Sequence, residues 1–126
     1  MDKKVLVVDD QKDVVDSIAG ILKKEGFNID KAYNGEECLK KAGNSVGLVF
    51  LDIMMPGLNG YEVAEELRRR FRDKLKIVYV TIKPKAEVNL EHADDFIQKP
   101  FSMHEILFAA KKIHDKNKNE NKKQSK

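Results

Sequence analysis

Three acidic residues, one hydroxyl group and one ammonium group stand at the ends of short apolar runs in this chain. They belong to Asp9, Asp10, Asp52, Thr81 and Lys99. If the apolar runs are parallel strands of one sheet, these side chains meet at its carboxyl edge, where such sheets bind their ligands. Each residue taken singly has an ordinary explanation, such as a helix cap or a solvated lysine. Their joint placement predicts a functional site.

The chemistry of this cluster follows from its charge. Three carboxylates in one pocket raise one another's proton affinity unless a cation offsets them. Because all the candidate ligands are oxygens, we predict a hard ion such as Mg²⁺, bound by Asp9, Asp10 and Asp52. A carboxylate beside Mg²⁺ can attack phosphorus and form an acyl phosphate, whose charge the metal and a lysine offset. Asp52 is the best candidate nucleophile, and Thr81 and Lys99 could bind phosphoryl oxygens.

Strands and helices alternate along the chain and would position these residues. Strands are predicted at residues 4–8, 27–32, 46–51, 77–80 and 95–98, and helices at 13–24 and starting near residues 34, 59 and 102. The purely apolar run before Asp52 favours a strand that is covered on both faces. This order implies right-handed crossovers and an α/β fold with a doubly wound, five-stranded parallel sheet of the flavodoxin or CheY-like kind.

Length and composition exclude several classes of protein. A chain of 126 residues is long enough for one domain with a complete core. Its single cysteine, Cys38, cannot form an intramolecular disulfide, which favours a reducing, cytoplasmic location. No apolar run approaches the roughly 18 residues of a membrane span, and the chain does not open with a signal peptide. We therefore expect a protein that is neither exported nor membrane-bound.

Charge divides the chain into two parts. Five of the 24 basic residues and two of the 21 acidic residues lie in residues 115–126, so residues 1–114 carry 19 of each. The segment 115–126 has no apolar residue and is predicted to be a disordered tail or the start of a linker. Residues 1–114 form the predicted domain. Within that domain, Arg68, Arg69 and Arg70 are predicted to lie mainly on a solvated helix face, with a site for a partner as the second interpretation.

The combined motifs resemble the receiver domain of two-component response regulators. The resemblance covers essentially residues 3–114, and the stretches that carry it are residues 5–10, 51–60, 80–81 and 93–101. It implies that Asp52 accepts a phosphoryl group from a histidine kinase in a Mg²⁺-dependent reaction. It also implies a signalling domain that switches conformation, and not an enzyme in its own right.

The resemblance further implies roles for individual residues. The carbonyl of Met54 would be an additional metal ligand, Thr81 and Lys99 would bind the phosphoryl group, the bond before Pro100 would be cis, and Phe96 would report activation by its orientation. The signal would pass to a downstream protein or a fused output domain, or act through a phosphorylation-dependent dimer. No direct binding of nucleic acid or membrane is expected from residues 1–114.

The sequence departs from the family pattern between Thr81 and Phe96. A bulky residue, Ile82, follows Thr81 where the family normally has a small one. The connection to the fifth strand is about a turn shorter than usual, contains Pro84, and has an alternating apolar pattern that argues against an amphipathic helix. We therefore predict that the family's fourth helix is shortened or irregular, and that the output surface is not the usual one.

Three alternative functions use the same elements. A phosphatase of the haloacid dehalogenase class also forms an aspartyl phosphate, but it needs a second acid where Met54 stands. A flavodoxin-like module needs a phosphate-binding loop after the first strand, where Asp9 and Asp10 would repel the phosphate. A receiver-like interaction module that is never phosphorylated is disfavoured by the retained acids and by Lys99.

Overall fold

The computed structural model describes residues 3–124, and the side chains of residues 3–113. Within this part of the chain, five parallel strands form one sheet in the order β2-β1-β3-β4-β5. The strands are β1 (Lys4–Val8), β2 (Ile29–Ala32), β3 (Val46–Leu51), β4 (Lys76–Thr81) and β5 (Asp95–Gln98). The helices are α1 (Lys12–Lys24), α2 (Gly35–Lys41), α3 (Gly60–Phe71) and α4 (Met103–Gln124). The predicted α/β fold is confirmed.

The central strand β3 has core on both of its faces. Val49 and Leu51 face the core beneath α2 and α3, whereas Leu48 and Phe50 face the core beneath α1 and α4. All six residues of β3 are buried, which explains why the strand is apolar without polar alternation. The two cores fix the orientation of the sheet and of the loops at its carboxyl edge.

The strand order places a crevice between β1 and β3. The chain passes from β1 outward to β2 and then returns to β3 on the other side of β1. Helices that follow neighbouring strands here pack on opposite faces of the sheet, which leaves space between their starting loops. Asp9 and Asp52, the residues after β1 and β3, therefore lie at the place where such sheets bind ligands.

The connection between β4 and β5, residues 82–94, has no α-helix over its whole described length. It contains a single 3₁₀ turn, Lys85–Glu87, which follows Pro84 in an extended conformation. The apolar residues of this connection alternate along the chain, so a helix here would have no apolar face to bury. The prediction of a shortened or irregular fourth helix is confirmed, and the sheet is served by four α-helices in the described chain.

Helix α4 continues beyond the predicted end of the folded part. Its backbone is helical to Gln124, whereas residues 115–126 were predicted to be disordered. Lysine, glutamate and glutamine favour helix, and a helix already formed gains a hydrogen bond for each residue it adds. The backbone of residues 115–124 thus differs from that prediction, and the last two residues lie outside the described part. The division between a domain at 1–114 and a tail stays a prediction.

Candidate functional site

The sheet brings the predicted site residues to one edge. Asp9 directly follows β1, Asp52 follows β3, Thr81 ends β4, and Lys99 follows β5. The backbone N–H of Asp52 donates to the carbonyl of Val8 at 3.0 Å, which extends the pairing of β1 and β3 up to the two acids. Residues as far as 90 positions apart in sequence therefore become neighbours.

The acids form a compact carboxylate cluster. One carboxylate oxygen from each of Asp9, Asp10 and Asp52 lies within 4.8 Å of the others. Asp9 is only 2% exposed and Asp52 5%, whereas Asp10 is open to solvent. The Gln11 N–H donates to Asp9 Oδ1 at 2.9 Å, and the Met54 N–H donates to Asp52 Oδ1 at 3.2 Å. Backbone N–H groups thus hold the two buried carboxylates of Asp9 and Asp52, and the third carboxylate, that of Asp10, is open to solvent.

Lys99 supplies the cluster with a positive charge. Its Nζ lies 2.8 Å from Asp9 Oδ2 and 3.6 Å from Asp52 Oδ2, and its side chain is 14% exposed. One ammonium group cannot offset three carboxylates, so the ionised cluster keeps an excess of negative charge. The donor set consists of oxygens at a separation that one small cation could bridge, and it therefore fits a hard divalent ion such as Mg²⁺.

The environment of Asp52 changes its acidity. Burial raises the pKa of the Asp52 carboxyl to about 6, and the Asp9 carboxylate adds to this shift, while the Lys99 ammonium and the Met54 N–H oppose it. The carboxyl of Asp52 is consequently protonated in mildly acidic solution and ionised at neutral pH. An ionised, poorly solvated carboxylate is a competent nucleophile.

The remaining predicted residues lie around this cluster. The Thr81 side chain is fully buried, and its Oγ1 accepts a hydrogen bond from the Lys83 N–H at 3.4 Å. The Lys99–Pro100 peptide bond is cis, and Phe96 is partly buried against the core beneath α2 and α3. Met54 is 48% exposed. The metal-ligand role of the Met54 carbonyl and the switching roles of Thr81 and Phe96 stay predictions.

The start of α3 lies against the site, which the sequence reasoning did not anticipate. The Gly60 N–H donates to the Ile53 carbonyl at 2.8 Å, and Asn59 and Glu62 form a reciprocal capping box. A Cβ at position 60 would overlap the carbonyl oxygen of Asp52 and lie 2.6 Å from the Cα of Ile53. The Asn-Gly pair at the head of a helix was the available signal for this close contact.

Replacing Gly60 by alanine is therefore expected to destabilise the protein by about 1–3 kcal/mol, because backbone atoms must move to admit the methyl group. Gly20 is the matched control, since it lies inside α1 and a Cβ there meets no atom within 4 Å. Gly20→Ala should stabilise by about 0.5–1 kcal/mol. Urea unfolding of both variants measures these effects, and equal stability of the two would contradict the contact.

Magnesium is expected to raise the melting temperature of the protein. A ligand that binds only the folded state stabilises it by about 1.4 kcal/mol at ten times its Kd and about 2.7 kcal/mol at a hundred times. Asp10→Asn should reduce the rise in melting temperature because it removes one negative charge from the carboxylate cluster. Asp73 is exposed and lies before β4, at the amino end of the strands, so Asp73→Asn should leave the rise in melting temperature unchanged. Thermal denaturation at constant ionic strength tests both, and no shift at millimolar Mg²⁺ would contradict the site.

A parallel sheet with an acidic cluster and a lysine at its switch point defines the receiver class of two-component response regulators. The family model described as "Response regulator receiver domain" matches residues 5–111. This chain belongs to that family.

Known proteins similar to the chain include response regulators from several organisms. The response regulator SaeR of Staphylococcus aureus is 33% identical over 107 residues, which cover 82% of this chain and 46% of SaeR. The chain thus spans about half the length of the curated relatives it matches. Among the described residues, no helix is long and apolar enough to cross a membrane.

Solved structures agree with the fold. The response regulator TrrA of Thermotoga maritima, crystallised in complex with Mg²⁺-BeF, is 40% identical with a TM-score of 0.80, covering 88% of this chain and 98% of TrrA. A CheY-like receiver domain protein of Methanospirillum hungatei is 29% identical with a TM-score of 0.81, covering 94% of this chain and 99% of that one.

Proposed function

We propose that Asp52 accepts a phosphoryl group from a histidine kinase, with Mg²⁺ held by Asp9, Asp10 and Asp52. One observation carries this proposal. The buried Asp52 carboxylate has two further carboxylates within 4.8 Å and an ammonium group at 3.6 Å. Neither a helix cap nor a solvated surface would gather these groups, whereas phosphoryl transfer uses all of them.

The transfer begins with attack by a carboxylate oxygen of Asp52 on the phosphorus of a phosphohistidine. The new O–P bond forms as the P–N bond breaks. The electron pair of the P–N bond goes to the imidazole nitrogen, which takes up a proton. The product on this chain is an aspartyl phosphate, and the kinase recovers a neutral histidine.

The neighbouring side chains have distinct parts in this step. When bound, Mg²⁺ would offset the negative charge shared by the carboxylates and the incoming phosphoryl oxygens. Lys99, now paired with Asp9, is close enough to Asp52 to bind a phosphoryl oxygen. Thr81 ends the adjacent strand and offers its hydroxyl to the same group. The Met54 carbonyl would complete the metal ligands.

The domain would act as a signalling switch with no substrate other than its own phosphoryl group. It would assist only the formation and hydrolysis of its aspartyl phosphate. A phosphatase of the same chemistry would need a second acid two residues after Asp52, and Met54 stands there. The free, buried Cys38 fits a reducing cytoplasm. The target would be a partner protein or an output domain, in keeping with relatives about twice as long.

Incubation with a small acyl phosphate and Mg²⁺ tests the proposal. Intact mass measurement should show the gain of one phosphoryl group, which hydroxylamine removes because the bond is an acyl phosphate. Chelation of Mg²⁺ should prevent the gain. Labelling that persists in the chelator, or that resists hydroxylamine, would contradict the proposed reaction.

A further inference from the structure

Residues 82–93, which we call the strap, cross the face of the sheet where the family places a helix. Most of the strap side chains are exposed, and Val88 and Ala93 are the ones that pack against the core beneath α2 and α3. Because the segment has so few apolar contacts, its detachment from the core costs little free energy. Its position therefore depends on the polar contacts that hold it.

Two side chains of α3 hold the strap. The Tyr61 hydroxyl accepts a hydrogen bond from the Asn89 N–H at 3.1 Å. Arg68 donates through Nε to the His92 carbonyl at 2.9 Å and through Nη2 to Asp94 Oδ2 at 2.5 Å. Arg68 was predicted to lie on a solvated face, but its side chain is only 20% exposed. That prediction was wrong for this arginine, because the strap and its flanking residues cover it.

Arg68 also ties the strap to the body of the domain. Its Nη1 donates to the carbonyls of Arg72 and Leu75, at 2.8 and 2.6 Å, where α3 leads into β4. Its partner Asp94 accepts a second hydrogen bond from the Ile77 N–H at 2.8 Å. One guanidinium therefore joins the end of α3, the start of β4 and the end of the strap.

Both attachments of the strap lead back to the phosphorylation site. At its beginning, the Lys83 N–H depends on Thr81 Oγ1 as acceptor. At the other end, Tyr61 and Arg68 belong to α3, whose first residue, Gly60, rests on the backbone of Asp52. Contacts therefore connect Asp52 and Thr81 to two separate points along the strap.

The core cluster on which Val88 and Ala93 pack contains a buried hydroxyl group with no partner among the described residues. The Tyr79 hydroxyl, in β4, makes no hydrogen bond among the described residues, and its ring meets that of Tyr61 edge to face, with centroids 5.7 Å apart. Burial raises the pKa of Tyr79 to about 12, with Tyr61 adding to the shift. Native proteins rarely leave such a group unsatisfied, because water would bind it in an open state.

We propose that the strap is a detachable cover that is released from α3 when Asp52 is phosphorylated, which opens the Tyr61–Tyr79 contact to solvent. The proposal rests on the phosphorylation proposed above. Thr81, when it turns toward a phosphoryl oxygen, deprives the Lys83 N–H of its acceptor. Release loses the contacts of Arg68 and Tyr61 but lets the Tyr79 hydroxyl reach water. The unsatisfied Tyr79 hydroxyl thus favours release, and the contacts of Arg68 and Tyr61 oppose it.

Hydrogen exchange read by mass spectrometry, before and after treatment with an acyl phosphate and Mg²⁺, tests the release. Amides of residues 82–94 should exchange about tenfold faster after phosphorylation, while those of β1 and β3 stay protected. The phosphoryl content is read from the intact mass of the same samples. A phosphorylated protein with unchanged strap exchange would overturn the strap proposal alone. Absence of the phosphoryl group would overturn the proposed function, and the switch with it.

Single-residue variants test the contacts directly in the unphosphorylated protein. Tyr61→Phe removes one hydroxyl and should speed strap exchange about threefold, and Arg68→Gln should do so by about tenfold. The matched controls are Tyr33→Phe, on the other face of the sheet, and Arg69→Gln, whose side chain is 71% exposed and paired with Glu66. Equal exchange in variants and controls would overturn the two attachments.

Tyr79→Phe tests whether the unsatisfied Tyr79 hydroxyl favours release of the strap, or whether the strap is simply a mobile loop. The phenyl ring fits the same space without an unsatisfied hydroxyl, so the closed strap loses its disadvantage. Phosphorylation should still occur, yet the resulting rise in strap exchange should be several-fold smaller than in the natural protein. A full rise in the fully phosphorylated variant would show that the Tyr79 hydroxyl does not bias the strap, and would overturn its part in the switch.

Discussion

Asp52→Asn is expected to abolish phosphorylation by an acyl phosphate and Mg²⁺. The amide has the same shape as the carboxylate but no anionic oxygen to attack phosphorus. It also removes one ligand charge from the cluster with Asp9 and Asp10. Intact mass should show the natural protein singly phosphorylated and the variant unmodified. Asp73→Asn, the same chemical change at an exposed site, should be phosphorylated at the natural rate.

The stability of Asp52→Asn distinguishes loss of the nucleophile from loss of the fold. Since burial raises the pKa of Asp52 from 3.8 to about 6, the folded protein holds its proton to higher pH than the unfolded chain does. The natural protein therefore loses stability as pH rises through this range. The variant lacks that loss and should be more stable by about 3 kcal/mol at pH 7.5 without Mg²⁺, but not below pH 4. A variant that is still phosphorylated would remove Asp52 from its role, and a variant less stable than the natural protein at pH 7.5 would contradict the raised pKa of the Asp52 carboxyl.

Lys99→Met should destabilise the metal-free protein strongly, and increasingly so as pH rises. Removal of one partner from a buried ion pair costs about 3 kcal/mol or more. Lys99 lies 2.8 Å from Asp9 and holds down the pKa of Asp52, so its loss moves that pKa further up. The Asp52 carboxyl of the folded variant then retains its proton over a wider range of pH than in the natural protein. The stability of the variant falls as pH rises through that range. The deficit should be small at pH 5 and largest at pH 8.

Urea unfolding at several pH values, with and without Mg²⁺, measures this deficit. Mg²⁺ should recover part of the lost stability, because it supplies positive charge to the same carboxylates. Lys40→Met is the control, since Lys40 is exposed on α2 and the change in net charge is the same. A deficit that is independent of pH and of Mg²⁺ would mean that Lys99 acts through packing of its side chain and not through charge.

The chemistry of the site could be predicted from the sequence because strand geometry is local. A run of apolar residues such as Val46–Leu51 identifies a strand covered on both faces, and the next residue must emerge at the carboxyl edge. Repeating this for each strand gathers Asp9, Asp52 and Lys99 at one place. The absence of a regular fourth helix could also be predicted locally, since the alternating apolar residues of this segment give a helix no apolar face.

Contacts between distant side chains could not be predicted in the same way. Arg68, Arg69 and Arg70 are identical in type, yet Arg68 alone of the three is covered by the strap, through partners 24 and 26 residues away. Which arginine is buried depends on the rotation of α3 against the sheet.

The sequence by itself determined the family and the acidic cluster of this protein, because the residue types at the strand ends are those of a receiver domain. Only the tertiary structure decided which residues outside the acidic cluster contact it and which residues hold the strap. Packing seats Gly60 on Asp52, buries the Tyr79 hydroxyl without a partner, and brings Arg68 to the strap. Such contacts follow from the joint fit of two cores and a short connection, which no local pattern of residues records.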